Sequence, residues 1–109
     1  MKDERLYLIH ICECIERIES YISGKNKKDF IHSELLQDAI IRNLQIMAES
    51  TQRLSDDTKE SQSGIDWLKI AGFRNVLVHD YLGIDIERVW NILEKDLPVL
   101  KKVIQKMLE

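Results

Sequence analysis

The stretch LYLIHICECIERIESYI, residues 6–22, carries the clearest fold signal in the chain. Its large apolar residues recur at steps of three and four, which is the spacing of one face of an α-helix. These residues are Leu8, Ile11, Ile15, Ile18 and Ile22. Charged residues fill the opposite face and Ser23-Gly24 is a stop signal, so the spacing predicts a helix from about residue 3 to 23.

The chain that follows repeats this helical pattern. A second helix is predicted from Asp29 or Phe30 to Leu54, with Asp29 as its N-cap and residues 25–29 as a loop. Its apolar stripe consists of Ile40, Leu44, Met47 and Leu54, with Thr51 in the missing place. The polar segment 55–64 is predicted to be a connector, although Ser55 is able to cap a short helical turn.

Two further helical patterns complete the chain. Residues 66–80 fit a helix, although the β-branched content of NVLVHDY, residues 75–81, also allows a strand. Asp85 is the predicted N-cap of the last helix, and Pro98 must either kink that helix or begin a new one over 98–107. The sum predicts one domain over residues 1–109, an all-α up-and-down bundle of four or five helices.

Composition and charge exclude several classes of protein. Of the 109 residues, 44% are hydrophobic and 32% are charged, which fits neither a disordered chain nor a membrane protein. The first residues, MKDERLYLIH, lack the apolar region of a signal peptide, so we expect a cytoplasmic protein. The net charge of -3 argues against holding long nucleic acids by phosphate neutralisation, but it leaves room for a small site that acts on RNA.

The cysteine pattern predicts neither a disulfide nor a metal site. Cys12 and Cys14 lie about 200° apart around the predicted helix, so they are not expected to bridge each other. No further ligands with metal-site spacing accompany them, so no metal is predicted.

The segment FRNVLVHDYLG, residues 73–83, places an Arg, a His and a Tyr in an apolar run. On one helix Arg74 and His79 are about 140° apart, so they do not meet without a distortion or a second copy of the chain. Because an arginine keeps its charge, Arg74 needs a partner or a water-filled cleft. The residues alone leave two interpretations open: a packed helix whose polar residues are satisfied, with Asp80 pairing with His79, or a site that does chemistry.

The order Arg74, four residues, His79, one residue, Tyr81 resembles the motif of the HepT-like HEPN-domain ribonuclease toxins. Wider blocks match that family in order and spacing: DAIIRNLQIMAES at 38–50, WLKIAG at 67–72, RNVLVHDYLGID at 74–85 and VWNILEKDLPVL at 89–100. Two segments depart from it. Ile65-Asp66-Trp67 stands in place of Ile-Pro-Trp, so Asp66 must start the third helix, and Ala48-Glu49-Ser50 stands in place of Gly-Glu-Ala.

The resemblance implies the toxin of a type VII toxin–antitoxin system, a metal-independent endoribonuclease without a cofactor. His79 would move the proton and Arg74 would hold the RNA phosphate. Asn75 and Asp80 would orient them, in a cleft at a homodimer interface. Arg42 would approach this site or brace an acidic residue.

The resemblance also implies a partner protein. An MNT-type nucleotidyltransferase antitoxin would adenylylate Tyr81 and so block the substrate phosphate site, whereas a packed Tyr81 is the plain structural alternative. For the whole protein, the alternative is a catalytically silent HEPN module that dimerises and binds its partner transferase or a nucleotide. Trp67 and Trp90 add apolar surface to that of the helices, which also favours a homodimer.

Overall fold

The computed structural model describes residues 4–78 and 85–109, with side chains everywhere except at 75–78, and within these ranges it contains helices and no strand. The helices are α1 Arg5–Ile22, α2 Lys27–Ile31, α3 Glu34–Gln52, α4 Asp56–Glu60, α5 Trp67–Val78, α6 Ile86–Asn91 and α7 Leu97–Leu108. A π-helical turn, Ile92–Asp96, joins α6 to α7. The strand alternative for NVLVHDY is therefore wrong for residues 75–78, which are helical.

Four long helical rods form the bundle. α3 lies between α1 and α5, and α1 also packs against α7, while the short α2 contacts α3 and α6. Exposed ion pairs join neighbouring rods, from Lys101 Nζ to Glu19 Oε1 at 2.7 Å and from Lys69 Nζ to Asp96 Oδ1 at 3.1 Å. The predicted all-α bundle is confirmed. In the described part of the chain, no helix is both long enough and apolar enough to cross a membrane.

The predicted apolar stripes form one shared core. The side chains with no exposed surface include Ile11, Ile15 and Ile18 of α1 and Ile40, Leu44 and Met47 of α3. Thr51 is also buried, and its hydroxyl donates a hydrogen bond of 2.7 Å to the carbonyl of Ala48. A threonine therefore fills the gap in the α3 stripe without leaving an unpaired polar group in the core. The stop signal of α1 is confirmed as well, because α1 ends at Ile22 and Gly24 adopts a φ of 74°.

The predicted start of the second helix is wrong. Asp29 does not cap a helix that runs to Leu54, because residues Lys27–Ile31 form the separate helix α2 and α3 begins at Glu34. Asn26 is the N-cap of α2, and it exchanges backbone-to-side-chain hydrogen bonds of 2.9 and 3.0 Å with Asp29 in a capping box. Ser33 caps α3 by accepting from the amide of Leu36. Two strong caps thus divide one apolar pattern into two helices.

The segment 55–64, which we predicted to be a connector, contains the short helix α4. A helical turn capped by Ser55 was the alternative prediction for this segment. Ser55 caps α4 by accepting from the amide of Thr58 at 3.1 Å. The carboxylate of Glu4 accepts hydrogen bonds from the amide and hydroxyl of Ser55 and from the hydroxyl of Thr58, which holds the pKa of Glu4 below its ordinary value. The indole N–H of Trp67 donates to the carbonyls of Lys59 and Gln62. The connector is therefore attached to both α1 and α5.

The remaining helix ends follow the sequence prediction. Asp66 accepts from the amide of Lys69 at 3.1 Å, so it starts α5 where the resembling family has proline. Asp85 accepts from the amide of Arg88 at 3.1 Å and caps α6. Pro98 stands at the start of α7, where a missing N–H is tolerated, and the π-helical turn directly precedes it. A new helix thus begins at the proline, but the chain remains helical across the junction.

Candidate functional site

Arg74 lies at the surface of the bundle, beside an acidic residue of α3. Its neighbour Phe73 and the earlier Ile70 are buried, with 1% and 4% of their surface exposed, and they hold α5 to the bundle core. Because the next residue on a helix points about 100° further round, Arg74 emerges at the edge of this contact. Its side chain is 50% exposed, and its Nε lies 3.6 Å from Oε1 of Glu49. Among the described residues, the ion-pair partner of Arg74 is Glu49, and Arg74 lies at the surface and not in the core.

Glu49 is the residue near the site that the sequence did not assign. It belongs to α3, 25 residues before Arg74, and its side chain is 58% exposed. The one signal available was its place in Ala48-Glu49-Ser50, where the resembling family has Gly-Glu-Ala. That position did not predict the contact between Glu49 and Arg74, because the contact exists only when α3 and α5 pack together.

Arg42 is exposed on the same face of α3. It precedes Glu49 by seven residues, which is about 10 Å along the helix axis. Within 4–78 and 85–109 it forms no ion pair, so the described acidic residues do not brace it. Arg42 and Arg74 therefore place exposed positive charge on two helices that pack together.

The other predicted site residues lie beyond the described side chains. Asn75 belongs to α5, but its side chain is among those not described. His79, Asp80 and Tyr81 fall outside the described residues, so their roles and the approach of His79 to Arg74 stay predictions.

One face of α5 is open and partly apolar. Leu68 is 87% exposed, and a Cβ added at Gly72 would have no neighbour from the rest of the fold within 4 Å. Leu68, Gly72 and Asn75 follow one another at helical steps of four and three, so they share this face. By contrast, Trp90 is only 8% exposed and its ring centroid lies 5.5 Å from that of Phe30. The apolar surface of Trp90 is therefore buried within one chain. The prediction that Trp90 adds apolar surface in favour of a homodimer is wrong.

The thiols are not part of this site. Cys14 is buried and Cys12 is half-buried, both are free, and burial raises the pKa of each thiol. In the described part of the chain, no group of three or more His, Cys, Asp or Glu residues could hold a metal ion.

Comparison with known proteins identifies the family. The family model described as "Ribonuclease HepT-like" matches residues 11–107. The chain belongs to the HepT-like ribonuclease family. Its all-α bundle is consistent with the HEPN fold of that family, and no solved structure matches this HepT-like chain.

Three relatives of the HepT-like chain carry ribonuclease names. A "gamma-glutamylcyclotransferase and putative RNase" of Methanocaldococcus jannaschii is 40% identical over 108 residues, which are 99% of this chain and 49% of the relative. A "putative RNase" of Caldanaerobacter subterraneus subsp. tengcongensis is 32% identical over 109 residues, all of this chain and 97% of the relative. A "probable ribonuclease HepT" of Thermococcus cleftensis is 34% identical over 101 residues, 93% and 92% of the two chains. The chain thus spans about half the length of the Methanocaldococcus jannaschii relative and nearly all of the other two.

Proposed function

We propose that this protein is a metal-independent endoribonuclease that cuts RNA with Arg74 and His79. The observation that carries the proposal is the position of Arg74, which is half exposed at the edge of the α3–α5 contact. Half of its side chain is exposed, with a single ion-pair partner among the described residues, so the guanidinium is accessible to a phosphate of the substrate. Membership of the HepT-like family and the ribonuclease names of its relatives support the same function.

The chemistry requires a proton carrier and a cation. The 2′-hydroxyl of the RNA attacks the adjacent phosphorus, the bond to the 5′-oxygen breaks, and a 2′,3′-cyclic phosphate and a free 5′-hydroxyl result. His79 transfers the proton, because an imidazole titrates near neutrality. Arg74 binds the phosphate, because its planar fork matches two phosphate oxygens and opposes the charge that develops on them. Asn75 and Asp80 orient these two groups, and Arg42 contributes positive charge from α3.

A second copy of the chain completes this site. Arg74 and His79 are five residues apart, about 140° around one helix, so a two-fold axis is needed to bring them together. The open face of α5 is the surface we assign to the homodimer, because Leu68 is 87% exposed on it and Gly72 allows close approach of another helix. The proposal takes residues 1–109 as one domain, in agreement with the shared core of the described helices.

We further propose that the ribonuclease is a toxin controlled by covalent modification. An MNT-type nucleotidyltransferase antitoxin transfers AMP from ATP to the hydroxyl of Tyr81, two residues after His79, with release of pyrophosphate. The added phosphate carries negative charge into the neighbourhood of Arg74 and occupies the place of the RNA phosphate. The proposal places the protein in the cytoplasm, where its RNA substrate is found.

One observation favours the alternative of a silent HEPN module that binds only its partner transferase or a nucleotide. Glu49 partly neutralises Arg74, and the net charge of the chain is -3, so the site attracts RNA weakly. A cleavage assay decides between the two functions. Purified protein should cut total RNA equally well with and without EDTA, and His79→Ala should lose the activity. Intact RNA after incubation with folded, unmodified wild-type protein would reject the ribonuclease and leave the silent module.

A further inference from the structure

We infer that Glu49 is a positioning residue for Arg74. Its carboxylate holds the guanidinium by the Nε edge and so directs the two terminal amino groups toward the phosphate of the substrate. The inference rests on the proposed ribonuclease function and adds a residue to its site.

The geometry of the ion pair leaves the outer edge of the guanidinium available. Oε1 of Glu49 approaches Nε of Arg74 at 3.6 Å, from the side of α3. A guanidinium has five N–H donors in a rigid plane, and it can bind two phosphate oxygens at once either through its two Nη atoms or through Nε and one Nη. The contact of Glu49 at Nε occupies the second of these edges and leaves the first available. The carboxylate of Glu49 at Nε therefore does not compete with a phosphate that binds to the two Nη atoms of Arg74.

Arg74 needs such a support because nothing else described here fixes it. Half of its side chain is exposed, and Glu49 is its single ion-pair partner within 4–78 and 85–109. A long side chain that is free in water samples many rotamers, whereas catalysis requires a narrow range of positions. A misplacement of about 1 Å can reduce a rate by roughly 100-fold. The contact with Glu49 on α3 limits the rotamers that the Arg74 side chain samples.

The same carboxylate has an opposite effect on substrate binding. Its negative charge lies close to the place of the RNA phosphate and repels it through solvent. Removing the charge should therefore lower both the turnover rate and KM. Loss of folded protein has a different signature, because it reduces the amount of active enzyme without lowering KM.

The test measures cleavage of a labelled, mixed-sequence RNA oligonucleotide by the full-length protein. Four proteins are compared: wild type, Glu49→Gln, Arg74→Ala and the double variant. Glu49→Gln should reduce kcat by about 2-fold to 5-fold with KM below that of the wild type, because an exposed ion pair of this kind contributes at most about 1 kcal/mol. In the Arg74→Ala background the same change should have no further effect, because Glu49 acts through Arg74.

Asp38→Asn is the matched control. Asp38 is an exposed carboxylate on the same face of α3, 11 residues before Glu49 and about 16 Å away along the axis. The Asp38→Asn variant removes the same charge from the same helix at a position away from Arg74. Its kcat should therefore equal that of the wild type. An equal loss in Asp38→Asn and Glu49→Gln would assign the effect to overall charge and overturn the inference.

A measurement without RNA tests the contact itself. The Hε–Nε NMR signal of Arg74, assigned by its absence in Arg74→Lys, should shift and exchange faster with water in Glu49→Gln than in wild type or Asp38→Asn. An unchanged signal would show that the ion pair is not the cause of the lower kcat in Glu49→Gln, and it would overturn the inference.

The outcomes separate this inference from the proposed function. If the wild type cuts RNA, Arg74→Ala does not, and Glu49→Gln cuts normally, only the positioning role is wrong. If Glu49→Gln instead removes the acidic limb of the pH–rate profile, Glu49 is a general base and the positioning role is likewise overturned. If the wild type does not cut RNA, the proposed function fails and the inference fails with it.

Discussion

Replacing Arg74 by Ala should abolish cleavage with little loss of stability. The change removes one ion pair, at 3.6 Å, between side chains that are 50% and 58% exposed. Exposed pairs of this kind contribute about 0–1 kcal/mol, because water screens them and two long side chains lose rotamer freedom. For a chain of this size that corresponds to a decrease in Tm of less than about 4 °C. The free energy of unfolding should therefore remain close to that of the wild type.

The effect of the same change on catalysis should be much larger. Arg74 opposes charge that develops only in the transition state, and loss of one such group typically costs about 100-fold to 1,000-fold in rate. Urea titration followed by circular dichroism measures stability, and cleavage of the labelled RNA oligonucleotide measures rate, on the same protein samples. The oligomeric state, determined by sedimentation, should match that of the wild type.

Phe73→Ala supplies the contrasting perturbation from the adjacent position. Phe73 is 1% exposed, and truncation of a buried phenylalanine costs about 3–5 kcal/mol. Its activity should fall only in proportion to the folded fraction. The reasoning would be refuted by an Arg74→Ala protein that loses more than about 2 kcal/mol of stability, well above the range for an exposed pair, or by a folded one that cleaves at the wild-type rate.

Three further predictions follow from the described surface and the proposed site. Leu68→Glu should give a monomer that no longer cuts RNA. The control variant Leu35→Glu changes a leucine of α3 that is 82% exposed, and it should remain dimeric and active. A wild-type protein that sediments as a monomer at micromolar concentration would exclude the homodimer. Mass spectrometry after incubation with the partner transferase and ATP should find AMP on Tyr81, and AMP on another residue would count against the proposed switch. The lowered pKa of Glu4 means that its contribution to stability is complete above its ordinary value of 4.5 and is lost as pH falls through the lower folded value. Glu4→Gln should therefore remove part of the decrease in stability that follows as pH falls below 4.5, as measured by thermal melts, and an unchanged pH profile would show that the contacts of Glu4 are not stabilising.

Regular spacing made most of the long helices predictable. Periodicity is a local property of the sequence. The spacing of apolar residues in α1 and α3 therefore predicted which of their side chains are buried. Asp66 and Asp85 were found because a cap needs only an acceptor placed three residues before an amide. The boundary at Asp29 was misread because the same residue type serves as an N-cap and as the third residue of a capping box.

The sequence by itself determined which side chains are available to a site: an arginine, a histidine and a tyrosine at fixed spacing in a HepT-like chain. Only the tertiary structure decided what surrounds the arginine. Arg74 and Glu49 are 25 residues apart on different helices, and neither has a local pattern that predicts the other. Their contact depends on how α5 packs on α3, which buries Phe73 and thereby sets the direction in which Arg74 emerges. Periodicity fixes which face of a helix is buried, but it does not fix which residue of a neighbouring helix lies opposite, because that depends on the packing of side chains distant in sequence.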